Sequence, residues 1–144
     1  MFRHRRLSRS TLISFAGLLV GIGGLVIQWI ADPSKFADAQ RSFGVAFPPG
    51  IAFIVVAGLL TLVTARWWWH AVFGVFIAFW IAGVGTLAGQ LTPNLTSRNA
   101  GTVAGNVVMT AGLVLAFAAG VHSMVTAFRT RRTVRRETGR APQA

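Results

Sequence analysis

The chain has 144 residues, of which 53% are hydrophobic and only 12% are charged. A soluble domain carries roughly 25% charged residues, so this composition argues against a soluble enzyme and is typical of an integral membrane protein. The formal net charge is +11, and the basic residues are concentrated in two tails that flank apolar runs. We therefore expect the electrostatic partner to be a lipid bilayer with anionic headgroups, and we expect no nucleic-acid binding.

The first element is a basic tail, residues 1–9, followed by an apolar run over residues 10–31. This run is longer than the core of a signal peptide, so we predict a transmembrane helix. Small and polar residues recur in it at spacings of three and four, at Ser10, Ser14, Gly17, Gly21, Gly24, Gln28 and Ala31. Such a stripe permits close helix packing in lipid, either within this chain or against a partner.

The next stretch begins with Asp32-Pro33, which ends the first run and can start a short new helix. Apolar residues of segment 34–43 fall on one side of such a helix and charged residues on the other. The pattern predicts a short amphipathic segment in the first outer loop, and a plain polar loop is the alternative.

Two further apolar runs, residues 47–65 and 68–91, predict the second and third transmembrane helices. Between them lie a cation, three indoles and an imidazole, a combination typical of a membrane–water boundary. We predict that this interfacial anchor, Arg66, Trp67, Trp68, Trp69 and His70, forms the cytoplasmic turn of a hairpin. The third run also has a small-residue face that includes Gly74 and Gly85.

The last apolar run, residues 101–128, follows a loop rich in turn residues and predicts the fourth transmembrane helix. Gly101, Gly105 and Gly112 share one face of it. A basic tail, residues 129–144, completes the chain. We expect Arg129, Arg131, Arg132, Arg135 and Arg136 to bind anionic lipid or to dock on an acidic surface of a partner protein.

The distribution of cations predicts the orientation. Eleven arginines lie in the two tails and at Arg66, whereas the opposite loops hold Lys35, Arg41 and Arg98. Short loops rich in Arg and Lys stay in the cytoplasm. The predicted fold is therefore an all-α, antiparallel four-helix bundle in the bacterial inner membrane, with both termini cytoplasmic.

Few residues within the predicted spans carry chemistry. Gln28, Gln90 and Asn106 lie toward the outer ends and could either hydrogen-bond across helices or form a polar pocket. His70 and His122 lie near the opposite face, where they could anchor the chain at the interface or, alternatively, serve a haem or quinone site. The chain has no cysteine, no nucleophile motif and no glycine-rich phosphate loop. We therefore expect no catalysis, no metal and no cofactor.

No Asp, Glu, Lys or Arg lies within a predicted span, which argues against a proton pump or an ion-coupled carrier. The leading hypothesis is a non-catalytic accessory subunit of a larger membrane protein complex, such as a lipid-transport machine or a respiratory complex. One alternative is a homo-oligomeric transporter or channel for an uncharged or amphipathic solute. Another is a lipid- or quinone-binding membrane anchor.

Overall fold

The computed structural model describes residues 8–37, 44, 48–64, 67, 69–84, 89 and 91–138. All regular structure within these ranges is helical, which confirms the all-α prediction. The elements in chain order are α1 (Arg9–Ala31), a 3-10 turn (Pro33–Phe36), α2 (Pro49–Val63), α3 (Val72–Ala78), a π-helical segment (Phe79–Val84), α4 (Leu91–Leu95) and α5 (Ala100–Thr138).

Helix α1 has defined signals at both ends. The Ser8 hydroxyl caps its start by accepting a hydrogen bond from the Thr11 backbone N–H at 3.2 Å. At its end, Asp32 takes an extended φ of −149°, as expected for a residue that precedes proline. Most of the predicted amphipathic segment, residues 38–43, lies outside the described residues.

The two middle helices are shorter than their apolar runs predict. Helix α2 begins at Pro49, where a missing N–H costs no helical hydrogen bond, and it spans 15 residues or about 22 Å. Helix α3 begins at Val72 and not at residue 68, because Trp69 to Ala71 form a turn. The predicted third span also cannot continue as one helix to residue 91, because Gly89 has a left-handed φ of +69°.

Two features near the last helix differ from the predicted turn and span boundaries. The short helix α4 (Leu91–Leu95) begins at the last residue of the predicted third span and continues into the predicted loop. Helix α5 continues to Thr138, ten residues beyond the predicted end of the span, and its 39 residues give a length of about 58 Å. The Asn99 side chain caps its start by accepting hydrogen bonds from the N–H groups of Gly101 and Thr102.

Helices α1 and α5 pack antiparallel, with their glycines in the contact. A Cβ placed on Gly17 would lie 2.6 Å from the Gly112 carbonyl oxygen, and one placed on Gly105 would lie 2.7 Å from the Gly24 carbonyl oxygen. The two backbones therefore touch, and only glycine fits between them. Farther along, the Asn99 amide donates a hydrogen bond to the Ala31 carbonyl oxygen at 2.9 Å, which joins the end of α1 to the start of α5.

The core lies between this helix pair and the middle helices. Leu113 and Ala116 of α5 are fully buried, and Ile54 is the most buried large side chain of α2. Leu18, Leu25, Ala57, Ile77, Ala78 and Met109 complete the cluster. By length and composition, α1 and the apolar part of α5 qualify as membrane spans, whereas α2 and the continuous stretch Val72–Val84 are shorter apolar helices.

Candidate functional site: a buried polar row beside an apolar pocket

The glycines predicted as a packing or partner face lie mostly inside this chain. Gly17, Gly21 and Gly24 of α1 face α5, where Gly105 and Gly112 complete the contact. Gly101 lies against Ala31, Gly74 lies against α1 and α2, and Ser14 donates its hydroxyl to the Ala116 carbonyl oxygen at 2.9 Å. Gly85 lies outside the described residues. The described glycines of the predicted face therefore contact other parts of this same chain, and these contacts need no partner protein.

The predicted interfacial anchor contains a stacked pair of indoles. The Trp67 and Trp69 rings lie 4.9 Å apart at an interplanar angle of 26°, and Trp67 is exposed. Arg66 and Trp68 lie outside the described residues. A stacked pair of indoles, one exposed and one half-buried, next to an apolar helix fits the boundary position that the sequence predicts.

His70 belongs to a hydrogen-bonded cluster that joins three parts of the chain. Its Nε2 lies 3.1 Å from the Thr11 hydroxyl of α1, and that hydroxyl lies 3.0 Å from the Ser123 hydroxyl of α5. Ser8 completes the cluster at 2.8 Å from Thr11. Thr11 and Ser123 are buried, so the cluster satisfies polar groups that would otherwise be unpaired.

The bonding of His70 defines the tautomer of its neutral form. Its Nδ1 lies 2.9 Å from the Trp67 carbonyl oxygen, which can only accept, so Nδ1 carries the proton. Nε2 then accepts from Thr11, whose oxygen accepts in turn from Ser8 or Ser123. With both ring nitrogens engaged, His70 binds an iron only by giving up one of these bonds. His122, the residue directly before Ser123 on α5, is exposed.

Gln28 and Asn106 do not pair with each other. Gln28 is buried, and its amide nitrogen lies 3.7 Å from the Met109 sulfur. Both amide atoms of Asn106 lack a hydrogen-bond partner in the described part of the chain. Gln90, the third member of the predicted polar group, lies outside the described residues.

Asn106 instead belongs to a row of unpaired polar side chains along α5. Thr102, Asn106 and Thr110 are spaced four residues apart and so share one face. Thr102 is 0% and Asn106 1% exposed, and the Thr110 hydroxyl is also buried. None of the three side chains has a hydrogen-bond partner within the described residues. Each unpaired buried group lowers the free energy of unfolding by about 1–3 kcal/mol. The row therefore removes a large part of the stability that a small protein has.

An apolar pocket of about 300 Å³ lies at the Thr110 end of this row. It is formed between α5 and the junction of α3 with the π-helical segment. Its lining residues are Ala78, Phe79, Ala82, Gly83, Thr110, Leu113, Val114 and Phe117. Ala78 and Leu113 at its floor are buried, whereas Phe79, Val114 and Phe117 are exposed, so the pocket opens on the outside of the chain.

Sequence reasoning identified Asn106 as a site residue but missed the pocket and Thr102. The spacing of Thr102, Asn106 and Thr110 in an otherwise apolar helix was the available signal. The pocket could not be read from periodicity, because it depends on how the π-helical segment packs against α5.

The five predicted docking arginines lie on the exposed end of α5. Arg132 packs over the Phe128 ring, with its guanidinium carbon 4.5 Å from the ring centroid. No group of three or more metal-binding side chains occurs in the ranges that the structure describes. The chain matches no known protein family, no curated protein and no solved structure.

Proposed function

We propose that this chain is a four-span protein of the bacterial inner membrane, with both termini in the cytoplasm, that serves as a non-catalytic accessory subunit of a larger membrane complex. The apolar helices α1 and α5 supply two crossings. Helix α2 and the Val72–Val84 stretch, with their flanking residues, supply the other two. In support, α2 buries only Ile54, Ala57 and Thr61, and most of its other large apolar side chains are exposed, as they are in lipid. The exposed ones are Phe53, Val55, Val56, Leu59, Leu60, Leu62 and Val63.

The cationic end of α5 is the observation that carries the accessory role. The helix continues for ten residues, about 15 Å, beyond Phe128, and five arginines on this extension are exposed. A flexible tail would bind anionic lipid equally well. A helix continuous with a membrane span instead holds its guanidinium groups at defined positions, where they can form paired hydrogen bonds with carboxylates of a partner.

Two double variants with the same change in charge test this role. Arg129 and Arg136 share one side of α5, and Arg131 and Arg135 share a side about 130° further around the helix, so R129Q/R136Q and R131Q/R135Q remove equal charge from different faces. If the arginines act only by non-specific attraction to anionic lipid, the two double variants should change partner recovery equally. Docking on a partner predicts that one pair lowers partner recovery at least about fivefold while the other leaves it near the level of the parent chain.

The measurement is native mass spectrometry of the complex after purification in mild detergent through a C-terminal tag. A larger membrane protein at fixed stoichiometry, lost in only one double variant, supports the accessory role. Recovery of this chain alone would overturn it. Oligomers of identical chains would instead favour the homo-oligomeric transporter, for which the uncharged polar row of α5 is the supporting observation.

A further inference from the structure

Thr133 lies between two arginines on one face of α5 beyond the membrane. Arg129 is four residues before it and Arg136 is three residues after it, so the three side chains share one side of the helix, the docking face. We propose that phosphorylation of Thr133 prevents an acidic partner from binding to this face, and that an arginine-directed protein kinase supplies the phosphate from ATP. The proposal rests on the proposed accessory role and names how that role is regulated.

The docking face points away from the rest of the chain. Ala116 and Ser123 are on the buried side of α5. At 100° per residue, Arg129 and Arg136 lie about 120–160° around the helix from those two residues. A partner can therefore approach both guanidinium groups without displacing α1.

The Thr133 side chain is open to an enzyme. Residues 129–136 are all exposed, Thr133 among them. Its hydroxyl donates to the Arg129 carbonyl oxygen at 3.2 Å, which is longer than the usual O–H···O distance of about 2.5–3.0 Å. A helix end that buries no side chain over residues 129–136 unwinds locally at low cost, so the segment can enter a kinase cleft in extended form.

The residues before Thr133 match the charge that an arginine-directed kinase recognises. Arg129, Arg131 and Arg132 lie four, two and one residues before it. Thr130, which is also exposed, has only Arg129 within the four residues before it. Guanidinium groups of a substrate pair with carboxylates of the kinase, and such charge patterns select the site.

Ser8 also follows two arginines, at positions 5 and 6, but its hydroxyl is engaged in the fold. The Ser8 oxygen lies 3.2 Å from the Thr11 backbone nitrogen and 2.8 Å from the Thr11 hydroxyl. Its modification would remove the cap of α1 and disturb the cluster around His70. Thr133 bonds only locally within the last turns of α5, so it can be modified without disturbing the core.

The reaction is a phosphoryl transfer. The Thr133 oxygen forms a bond to the γ-phosphorus of ATP, the bond from that phosphorus to its bridging oxygen breaks, and ADP leaves. The hydroxyl proton passes to the catalytic aspartate of the kinase. The product carries about −1.5 to −2 charge at pH 7 and three acceptor oxygens where the side chain was neutral.

The phosphate would lie within reach of two guanidinium groups. Side chains at i−4 and i+3 on a helix are neighbours, and arginine pairs with phosphate through two parallel hydrogen bonds. Two positive charges would then be balanced by about two negative ones. The carboxylates of a partner would meet a phosphate at the docking face, and like charges repel.

The first experiment maps the modification. The full chain is purified from the cells that make it, with phosphatase inhibitors present, and is cleaved after Phe128 with chymotrypsin. Sequencing of the basic peptide by electron-transfer mass spectrometry should place phosphate on Thr133. A chain that carries phosphate only on Ser8 or Thr130, or carries none, would overturn the proposal.

The second experiment measures the effect on docking with matched variants. T133E and T130E add the same charge three residues apart, but only position 133 has arginines at both i−4 and i+3. T133E should lower partner recovery in native mass spectrometry at least about fivefold, whereas T130E and T133A should stay near the parent chain. Equal losses in T133E and T130E would mean that net charge alone acts, which contradicts the proposal.

A third measurement needs no partner and separates this proposal from the accessory role. Phosphothreonine is introduced at position 133 or 130 by amber suppression, and its second pKa, ordinarily about 6, is measured by phosphorus NMR in nanodiscs. Pairing with two guanidinium groups should lower this pKa more at position 133 than at position 130. R129Q/R136Q should remove most of that difference and R131Q/R135Q should not. Equal pKa values at the two positions would overturn the pairing, whereas a parent chain that recovers no partner would refute the accessory role instead.

Discussion

At the scale of single residues, the interior contains two kinds of polar side chain. Thr11, Ser123 and His70 satisfy one another across three parts of the chain. Asn106 is at least as deeply buried, and neither of its amide atoms is paired within the described residues. The first kind stabilises the fold, whereas the second costs stability, which is typical of groups kept for binding.

Replacing Asn106 with leucine should therefore stabilise the chain. The variant removes an unpaired amide and substitutes a side chain of similar size, so we expect the free energy of unfolding in mixed micelles to rise by about 1 kcal/mol. Circular dichroism during titration with a denaturing detergent measures this change. The control variant T126V, on the same helix, removes a bonded hydroxyl on an exposed surface and should change stability by less than about 0.5 kcal/mol. A loss of stability in Asn106→Leu would show that the amide has a partner outside the described residues.

The residues of the site could be predicted only in part. Gln28 and Asn106 stand out as amides in apolar runs, but their pairing depends on the rotation of α1 against α5. In the structure Gln28 lies against Gly105 and Met109 and forms no hydrogen bond with Asn106. The spacing of residues in the sequence does not specify this rotation.

At the scale of elements, the contact between α1 and α5 depends on glycines that leave no room for a side chain. A Cβ on Gly24 would overlap the backbone of Met109 and Gly105, whereas a Cβ on Gly23 would meet nothing within 4 Å. Gly24 is thus closely packed against α5, whereas the adjacent Gly23 faces open space. The two residues form a matched pair for measuring how much free energy of unfolding is lost when α1 and α5 are forced apart.

Gly24→Ala should destabilise the chain and Gly23→Ala should not. Overpacking at Gly24 should lower the free energy of unfolding by about 1–3 kcal/mol, because the obstructing atoms are backbone and cannot move aside. Gly23→Ala should leave stability unchanged or raise it by up to about 1 kcal/mol through helix propensity. Equal effects in the detergent titration would contradict the close packing of α1 and α5.

The sequence predicts these elements better than it predicts their ends. The stripe of small residues on α1 follows from spacing alone. Whether the stripe packs within the chain or against a partner does not, because both arrangements need the same residues. The end of the third run was missed because Gly89 reads as one more packing glycine, while its φ of +69° makes it a turn.

At the scale of the whole molecule, the arrangement of spans is directly testable, because the chain contains no cysteine and each introduced one is unique. Four exposed positions report on four connections: Ser34, Trp67, Thr96 and Thr130. With four spans and cytoplasmic termini, an impermeant maleimide applied to spheroplasts should label Cys variants of Ser34 and Thr96 only. Inverted vesicles should give the reverse pattern.

Trp67→Cys distinguishes the two arrangements that the helix lengths permit. If only α1 and α5 cross the membrane, the Trp67 variant is labelled from the same side as those of Ser34 and Thr96. If the middle helices also cross, it is labelled from the side of Thr130. The first result would refute the four-span proposal and leave the pairing of α1 and α5 intact.

The antiparallel pairing joins the first and last long helices of the chain, and this order has a consequence for biogenesis. Synthesis at roughly 5–20 residues per second separates completion of α1 from completion of α5 by about 5–20 s. During that interval the α1 stripe of Gly17, Gly21 and Gly24 has no α5 to pack against. The same stripe on the α1 helix of a neighbouring nascent chain offers an alternative packing surface. Pairing of α1 with α5 of its own chain therefore competes with pairing between the α1 helices of two nascent chains. We expect slower translation ahead of residue 100 to increase the yield of dimers joined through α1.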